Sequence, residues 1–404
     1  MRKVAVIGVG LHAYGKWRDK KPKDLAVTAI RGALESAKLE WNDVQSAWCG
    51  HTSLGMTAGA RLFAEMGQTG LSITNVENAS ATGSYAFRGA YFDVASGEFD
   101  VALALGVDML PRRDPASAKP PGAGDSSAPK ADKAEAASAV KPASSGEAAA
   151  AKADRGGEKP RAPTGPMVGF ARDAQMHMEK YGTTIDQLAK VSVKQHFNGA
   201  RNPYAQYQEE VTLAQVHAAR MVVPPLTVLH CCPFGDGAAA AILVSEDVVK
   251  RLGIEKPVWV ASSVSRSTVA NAPDFTDLTR RTSEEAYAKA GIGPSEIGMI
   301  ELHDAATIEE ILYAEAMGLC AVGEGGRLID EGATELTGRI PINSSGGLLA
   351  MGHPFGPTGI GQIAEIFWQL RGEASRRQIP AGPKSGLAHM IGLGGTCIVQ
   401  ILKR

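Results

Sequence analysis

The chain has 404 residues, 44% hydrophobic and 21% charged, and its 42 Lys and Arg against 43 Asp and Glu leave a net charge of -1. At roughly 150 residues per domain this is enough chain for two domains. The balance of charge supplies no field that would gather nucleic acid or anionic lipid, and no apolar run approaches the roughly 20 residues a membrane span needs. A globular protein with neither nucleic acid nor a membrane as partner is expected.

Taken in order, Val4 to Gly8 reads as a buried strand, behind an N-terminus whose polar residues follow too soon for a signal segment. The GVG of Gly8 to Gly10 lacks the third glycine and downstream acid of a dinucleotide fingerprint. Lys23 to Leu39 places Ala26, Ile30, Ala33, Leu34 and Ala37 on one helical face. Asp100 to Asp108 is a second buried strand. From Pro111 to Gly165 the composition collapses to Ala, Pro, Lys, Gly, Ser and Asp, with Val140 its only branched aliphatic residue. Such a stretch buries too little apolar surface to offset its ordering entropy, so it reads as a disordered insertion at 111–165. Gly169 to Arg220 is polar and mostly helical, and too long for an ordinary connection. It reads as an excursion covering a site.

Val258 to Ser262, Glu284 to Ala290 and Gly298 to Leu302 then repeat the order strand, helix, strand. Ala33, Ala37, Leu39, Asp43 and Val44 fall opposite Ala286, Ala290, Ile292, Glu296 and Ile297 at a constant offset of 253 residues. Two related α/β halves are therefore expected, 1–250 and 251–404. The five cysteines, Cys49, Cys231, Cys232, Cys320 and Cys397, show no paired C-x-x-C spacing. No metal site and a reducing, cytoplasmic setting are expected, with Cys231 and Cys232 as buried structural thiols.

Four junctions carry the polar chemistry. Asn75 to Ser84 runs a strand into a helix that opens on small residues, where Ser80 is either an N-cap or a nucleophile whose oxyanion backbone amides would hold. Glu301-Leu-His303-Asp304-Ala305-Ala306-Thr307 ends a strand on polar residues, the usual place for active-site groups in α/β folds. Asn343 to Gly359 is so dense in glycine and proline that regular structure is not expected, which marks His353 as functional. His389 to Thr396 places Gly392, Gly394 and Gly395 before the last strand, where glycine lets backbone amides approach a ligand.

Together these segments resemble the thiolase superfamily, in particular its sterol-carrier-protein-2-type branch. The GHPxGxTG stretch at Gly352 to Gly359, the HDAAT at His303 and the HCCPFGDGAAA from His230 to Ala240 carry the likeness, which covers the chain outside the insertion. The resemblance implies an α/β fold: a five-layered αβαβα sandwich of two similar halves, plus a loop domain at about 166–220. It implies a homodimer, acyl-coenzyme A as substrate with no permanently bound cofactor, and in this branch a small zinc-ribbon and OB-fold partner protein.

The family's nucleophilic cysteine falls at Ser80, and its activating base at His353. Its second, acid/base cysteine falls at Ala305 or at the Ile391-Gly392 pair, so both thiols are absent. His303 would polarise the thioester, and the amides of Ser80, Gly394 and Gly395 would hold an oxyanion. Arg172, Lys180, Ser344 and Gly346 are candidate coenzyme A contacts, with Lys190 and Lys194 further candidates for its phosphates. Three readings follow. The first is a C-acyltransferase acylated on Ser80, the second a retro-aldol lyase without an acyl-enzyme, and the third a silent subunit that binds acyl-CoA. The serine could also be an engineered replacement of the cysteine.

Overall fold

Alternation along the strands sets the layers of this computed structural model, which describes residues 1–110, 165–270 and 274–404; the expected insertion at 111–165 lies outside them apart from its last residue. The strands are β1 Val4–Gly15, β2 Ser46–Gly50, β3 Ser72–Val76, β4 Val101–Asp108, β5 Met221–Val223, β6 Leu226–Thr227, β7 Asp236–Ser245, β8 Val258–Ser267, β9 Ile300–Glu301, β10 Ser385–Gly392 and β11 Thr396–Lys403. The helices are α1 Pro22–Ala37, α2 Ala58–Ala64, α3 Thr82–Ser96, α4 Gly165–Tyr181, α5 Ile185–Gly199, α6 Leu213–Ala218, α7 Glu246–Leu252, α8 Phe275–Ala290, α9 Thr307–Ala316, α10 Gly325–Asp330, α11 Gly347–Ala350 and α12 Phe355–Arg371.

Among the described residues nine strands join in the order β3-β2-β4-β7-β1-β8-β11-β10-β9. From β1 outward the pairings run antiparallel to β7, antiparallel to β4 and parallel to β2. From β8 outward they run antiparallel to β11, antiparallel to β10 and parallel to β9. The two sides thus repeat one topology, joined by the short antiparallel contact of Ala5 and Val6 with Trp259 and Val258. A parallel bridge from Ile300 to Ile342 stands where β3 stands in the first half. The offset of 253 residues is kept in the helices too, since α1 ends at Ala37 and α8 at Ala290.

Successive strand side chains face opposite ways, and they sort into three cores. Ala5, Ile7, Leu103, Leu105, Ile242 and Val244 pack against α1 and α2 on one outer side. Val264, Leu387, Val399 and Ile401 pack with Leu278 of α8 and Tyr313 of α9 on the other. Between them, Val6, Ala104, Ala241, Val260 and Leu402 close around Phe87 and Val94 of α3 and Ile363 and Phe367 of α12. Helix, sheet, helix, sheet, helix is the five-layered arrangement expected. Gly8 and Gly10 lie inside β1, where a β-carbon would collide with the α1 backbone at Ala33 and Ala29. Close packing, rather than a nucleotide, accounts for both.

One expectation fails. The glycine- and proline-rich run after Asn343 is not irregular throughout: α11 occupies Gly347–Ala350, and Phe355, Gly356, Pro357, Thr358 and Gly359 open α12. Proline is tolerated in a first helical turn because its missing N–H has no partner there anyway. The glycines serve proximity, because α12 crosses α3 and β4 so closely that a β-carbon on Gly83 or Gly106 would meet the Gly356 carbonyl. Gly83→Ala is therefore expected to destabilise the protein by about 3 kcal/mol in denaturant titration, the upper range for overpacking a fixed backbone. An unchanged midpoint would show that the two helices can separate freely.

Candidate active site

Ser80 sits in a single 3-10 turn, Ala79–Ala81, at the mouth of α3. Its predecessor Ala79 holds φ at 49°, a left-handed conformation that a residue with a β-carbon rarely adopts. That turn lies within the first residues of a helix, where amides have no intrahelical acceptor. Gly392 packs against the Asn78 carbonyl so tightly that a β-carbon would not fit, which brings the β10–β11 turn beside Ser80.

His353 precedes α12, and its Nε2 lies 2.9 Å from Ser80 Oγ. The ring's tautomer follows from its other side. Thr358 Oγ1 donates to the Pro354 carbonyl at 2.6 Å, so its oxygen accepts the Nδ1 proton of His353 at 3.0 Å. Nε2 is left as an acceptor facing the serine hydroxyl. Burial, and secondly the charge of His303, hold His353 well below the usual imidazole range, so the ring is neutral. The ring centroids of His303 and His353 are 5.5 Å apart, and Ser80, His303 and His353 are only 5%, 4% and 2% exposed. The site is a sealed pair of imidazoles over one hydroxyl.

His303 is fixed by Glu309, whose Oε1 accepts from Nδ1 at 3.0 Å and from the Tyr313 hydroxyl at 2.8 Å. Glu309 Oε2 accepts the Ala306 amide at 3.1 Å. With Nδ1 committed to a carboxylate, Nε2 of His303 donates to a substrate oxygen only in the imidazolium form. Glu309 was not among the sequence candidates. Its signal was there, a glutamate three residues after a helix-capping position. Asp108, at the end of β4, was also missed. Its carboxylate accepts the Gly356 amide at 2.7 Å and those of Thr52 and Ser53 at 2.9 and 3.0 Å, which pins the start of α12 directly behind His353.

The glycine turn divides in role. Gly395 N–H donates within the turn to the Gly392 carbonyl at 3.2 Å, whereas Gly394, at φ 97°, is exposed and its N–H finds no acceptor among the described residues. Gly394 remains a candidate oxyanion donor, and Gly395 is a structural turn residue.

Several expected coenzyme A contacts are corrected by their surroundings. Ser344 is wholly buried, its Oγ 3.0 Å from both Glu301 Oε1 and Glu365 Oε1. Gly346 abuts Gly199 of α5 in the interior. Lys194 is locked in a buried ion pair with Glu310, and Lys190 pairs with Asp330 at 2.5 Å. Gly346, Lys190 and Lys194 hold α5 against α9, α10 and the run after Asn343, helped by Asn198 and Asn202, which donate to the carbonyls of Asn343 and Ser345. Arg172 and Lys180 stay exposed on α4.

Beneath the site, Ser344 has one proton for two carboxyl groups, so one of them must supply its own. Burial, then the neighbouring Glu365 charge, raises Glu301 to about 8, while Glu365 pairs with Arg377 at 2.7 Å. The folded state thus keeps a proton that the unfolded chain releases near 4.5, and stability falls as pH climbs from about 4.5 to about 8. Glu301→Gln, neutral at every pH, is expected to gain on the parent by on the order of 2 kcal/mol between pH 5.5 and 8.5. Melting curves that stay parallel across that range would refute the shared proton.

Among the described residues no three His, Cys, Asp or Glu side chains gather as a metal site, and no helix is long and apolar enough to cross a membrane. A family model described as the thiolase N-terminal domain matches residues 4–223, and one described as thiolase C-terminal domain-like matches 261–404. The chain is 38% identical over 416 residues to sterol carrier protein 2 of Oryctolagus cuniculus, covering 99% of this chain and 72% of that protein. It is 37% identical over 415 residues to an acetyl-CoA acetyltransferase of Methanothermobacter thermautotrophicus, covering 100% of both. Against the benzoylsuccinyl-CoA thiolase subunit BbsB of Thauera aromatica it is 34% identical over 403 residues, covering 97% of this chain and 95% of the other. Among solved structures, the Ltp2-ChsH2(DUF35) aldolase superposes with a TM-score of 0.76 at 22% identity, covering 99% of this chain and 97% of that one. Human mitochondrial 3-ketoacyl-CoA thiolase superposes at 0.70 and 16% identity, covering 100% and 98%. At these identities the structural likeness is one of fold.

Proposed function

The chain belongs to the thiolase family, and on that premise we propose that it is an acyl-CoA C-acyltransferase in which Ser80 takes the acyl group, working on a 3-oxoacyl-CoA and coenzyme A. The observation that carries the reading is the 2.9 Å approach of Ser80 Oγ to an unprotonated His353 Nε2. His353 takes the hydroxyl proton as Oγ bonds to C3 of the substrate. His303, as imidazolium braced by Glu309, donates to the thioester oxygen where negative charge develops, and the Ser80 and Gly394 amides serve the oxyanion at C3. Serine is a far weaker nucleophile than a thiolate near neutral pH, so slow acylation is part of the proposal. Its test is intact mass after mixing with acetyl-CoA or a 3-oxoacyl-CoA: an ester that maps to Ser80 supports it, and an unmodified protein that still turns over overturns it.

Both thiols expected from the family are missing, which favours a second reading, a lyase that cleaves beside the thioester without an acyl-enzyme. Its product would be an aldehyde or ketone formed without free coenzyme A. Coenzyme A phosphates are assigned to exposed Arg172 and Lys180, a homodimer is the proposed assembly, and the cytoplasm is the proposed setting. A small zinc-ribbon and OB-fold partner is also proposed, in keeping with a relative described as a thiolase subunit and a fold neighbour described as an Ltp2-ChsH2(DUF35) aldolase.

A further inference from the structure

The acyl-transfer reading leaves one atom unserved. When the C2–C3 bond breaks, its electron pair goes to C2, and that carbon needs a proton. The Ser80 proton has passed to His353, which must keep it until the ester is cleaved, and position 305 carries only a methyl group.

A thiol stands across from that methyl group. The Cys232 amide donates to the Ala305 carbonyl at 2.9 Å, and Cys231 pairs antiparallel with Ala306, so residues 232 and 305 oppose each other on a short ribbon. Directly opposed β-carbons in such a ladder lie roughly 5 Å apart. On the ribbon's other flank the Pro233 carbonyl accepts the His353 amide at 3.3 Å. The Phe234 ring meets Phe355 at 6.0 Å, and Phe355 meets His353 at 4.9 Å. Cys232 is thus laced between the two histidine loops as a free thiol. Cys231, facing the opposite way by strand alternation, packs on the apolar cluster of Leu226, Ile308 and Ile311.

We propose that Cys232 is the proton donor to C2, replacing a thiol at position 305 from the facing strand; this rests on the acyl-transfer reading above. The Sγ proton moves to C2 as the carbon–carbon bond breaks, which releases acetyl-CoA and leaves the shortened acyl group as an ester on Ser80. The incoming coenzyme A thiol gives its proton to the Cys232 thiolate, and its sulfur attacks the Ser80 ester. Ser80 Oγ leaves and recovers its proton from His353, so every group returns to its starting state. Burial first, then Cys231, Glu309 and Asp304, push Cys232 well above the ordinary thiol range, which keeps the proton on sulfur until it is needed.

The test follows deuterium uptake at C2 of acetyl-CoA in heavy water alongside Ser80 ester formation by intact mass. Cys232→Ala is expected to slow C2 exchange about 100-fold, the lower range for losing a general acid or base. In the same variant Ser80 ester formation from 4-nitrophenyl acetate stays within about twofold, because that step breaks no bond at C2 and its leaving group departs without a proton from Cys232. Cys231→Ala should exchange at the parent rate. Exchange in Cys232→Ala equal to the parent overturns the assignment, as does an absence of exchange in the parent. A second measurement needs no turnover: bromoacetyl-CoA carries its electrophilic carbon at C2 and is expected to form a thioether on Cys232, with loss of bromide, in the parent and in Ser80→Ala alike. Peptide maps with Cys232 unmodified overturn the proposal. Should Ser80 never carry an ester while exchange and labelling both depend on Cys232, the acyl-enzyme reading fails and the proton donor stands.

Discussion

Ser80→Ala is expected to remove the acyl-enzyme outright and lower turnover of a 3-oxoacyl-CoA by at least about 10³-fold, leaving only what binding and oxyanion donors provide. Ser80→Cys is expected to do the reverse, speeding acylation roughly 10²-fold, because a thiol beside a base ionises near neutral pH and a hydroxyl does not. The turn favours both outcomes. Ala79 is held at φ 49° and Gly392 presses on the Asn78 carbonyl, so a one-atom change of side chain leaves the backbone in place. Stopped-flow consumption of the 3-oxoacyl-CoA, with intact mass at each time point, reads both variants. Parent-like turnover in Ser80→Ala would eliminate the acyl-enzyme and leave the lyase reading.

His353→Gln is expected to slow Ser80 acylation by about 10³-fold, within the usual range for a general base. Glutamine can still accept the serine's hydrogen bond but cannot hold its proton. The parent's pH profile is the sharper measurement. Because burial and the nearby His303 charge depress His353, the base stays unprotonated below the ordinary imidazole value of 6.5. The acid limb of the acylation rate should therefore fall below pH 6.5 in the parent and disappear in His353→Gln. A parent limb centred at or above 6.5 would mean that another group supplies the base. The depressed value also makes His353 a weak base, a second reason for serine acylation to be slow.

Much of this was legible in the chain before any tertiary contact. Strand and helix periodicity revealed the repeat, because Ala33 and Ala37 of α1 stand opposite Ala286 and Ala290 of α8 at one offset, and each strand's alternation is a local property. Ser80, His303 and His353 were also legible, since each sits at a polar break where a strand or glycine run ends and the backbone needs special residues. What the chain did not reveal were the roles that exist only across the fold. The GHP stretch reads as loop because glycine and proline oppose helices in isolation, yet α12 begins inside it, where close crossing with α3 and β4 demands the missing side chains. Ser344, Lys190 and Lys194 look free until Glu301, Asp330 and Glu310 arrive from elsewhere in the chain to bind them. Cys232 lies 73 residues before Ala305 in sequence and directly across a backbone hydrogen bond from it in space. Periodicity and turn chemistry are written residue by residue, whereas a proton's acceptor and a charge's partner are fixed only when distant segments meet.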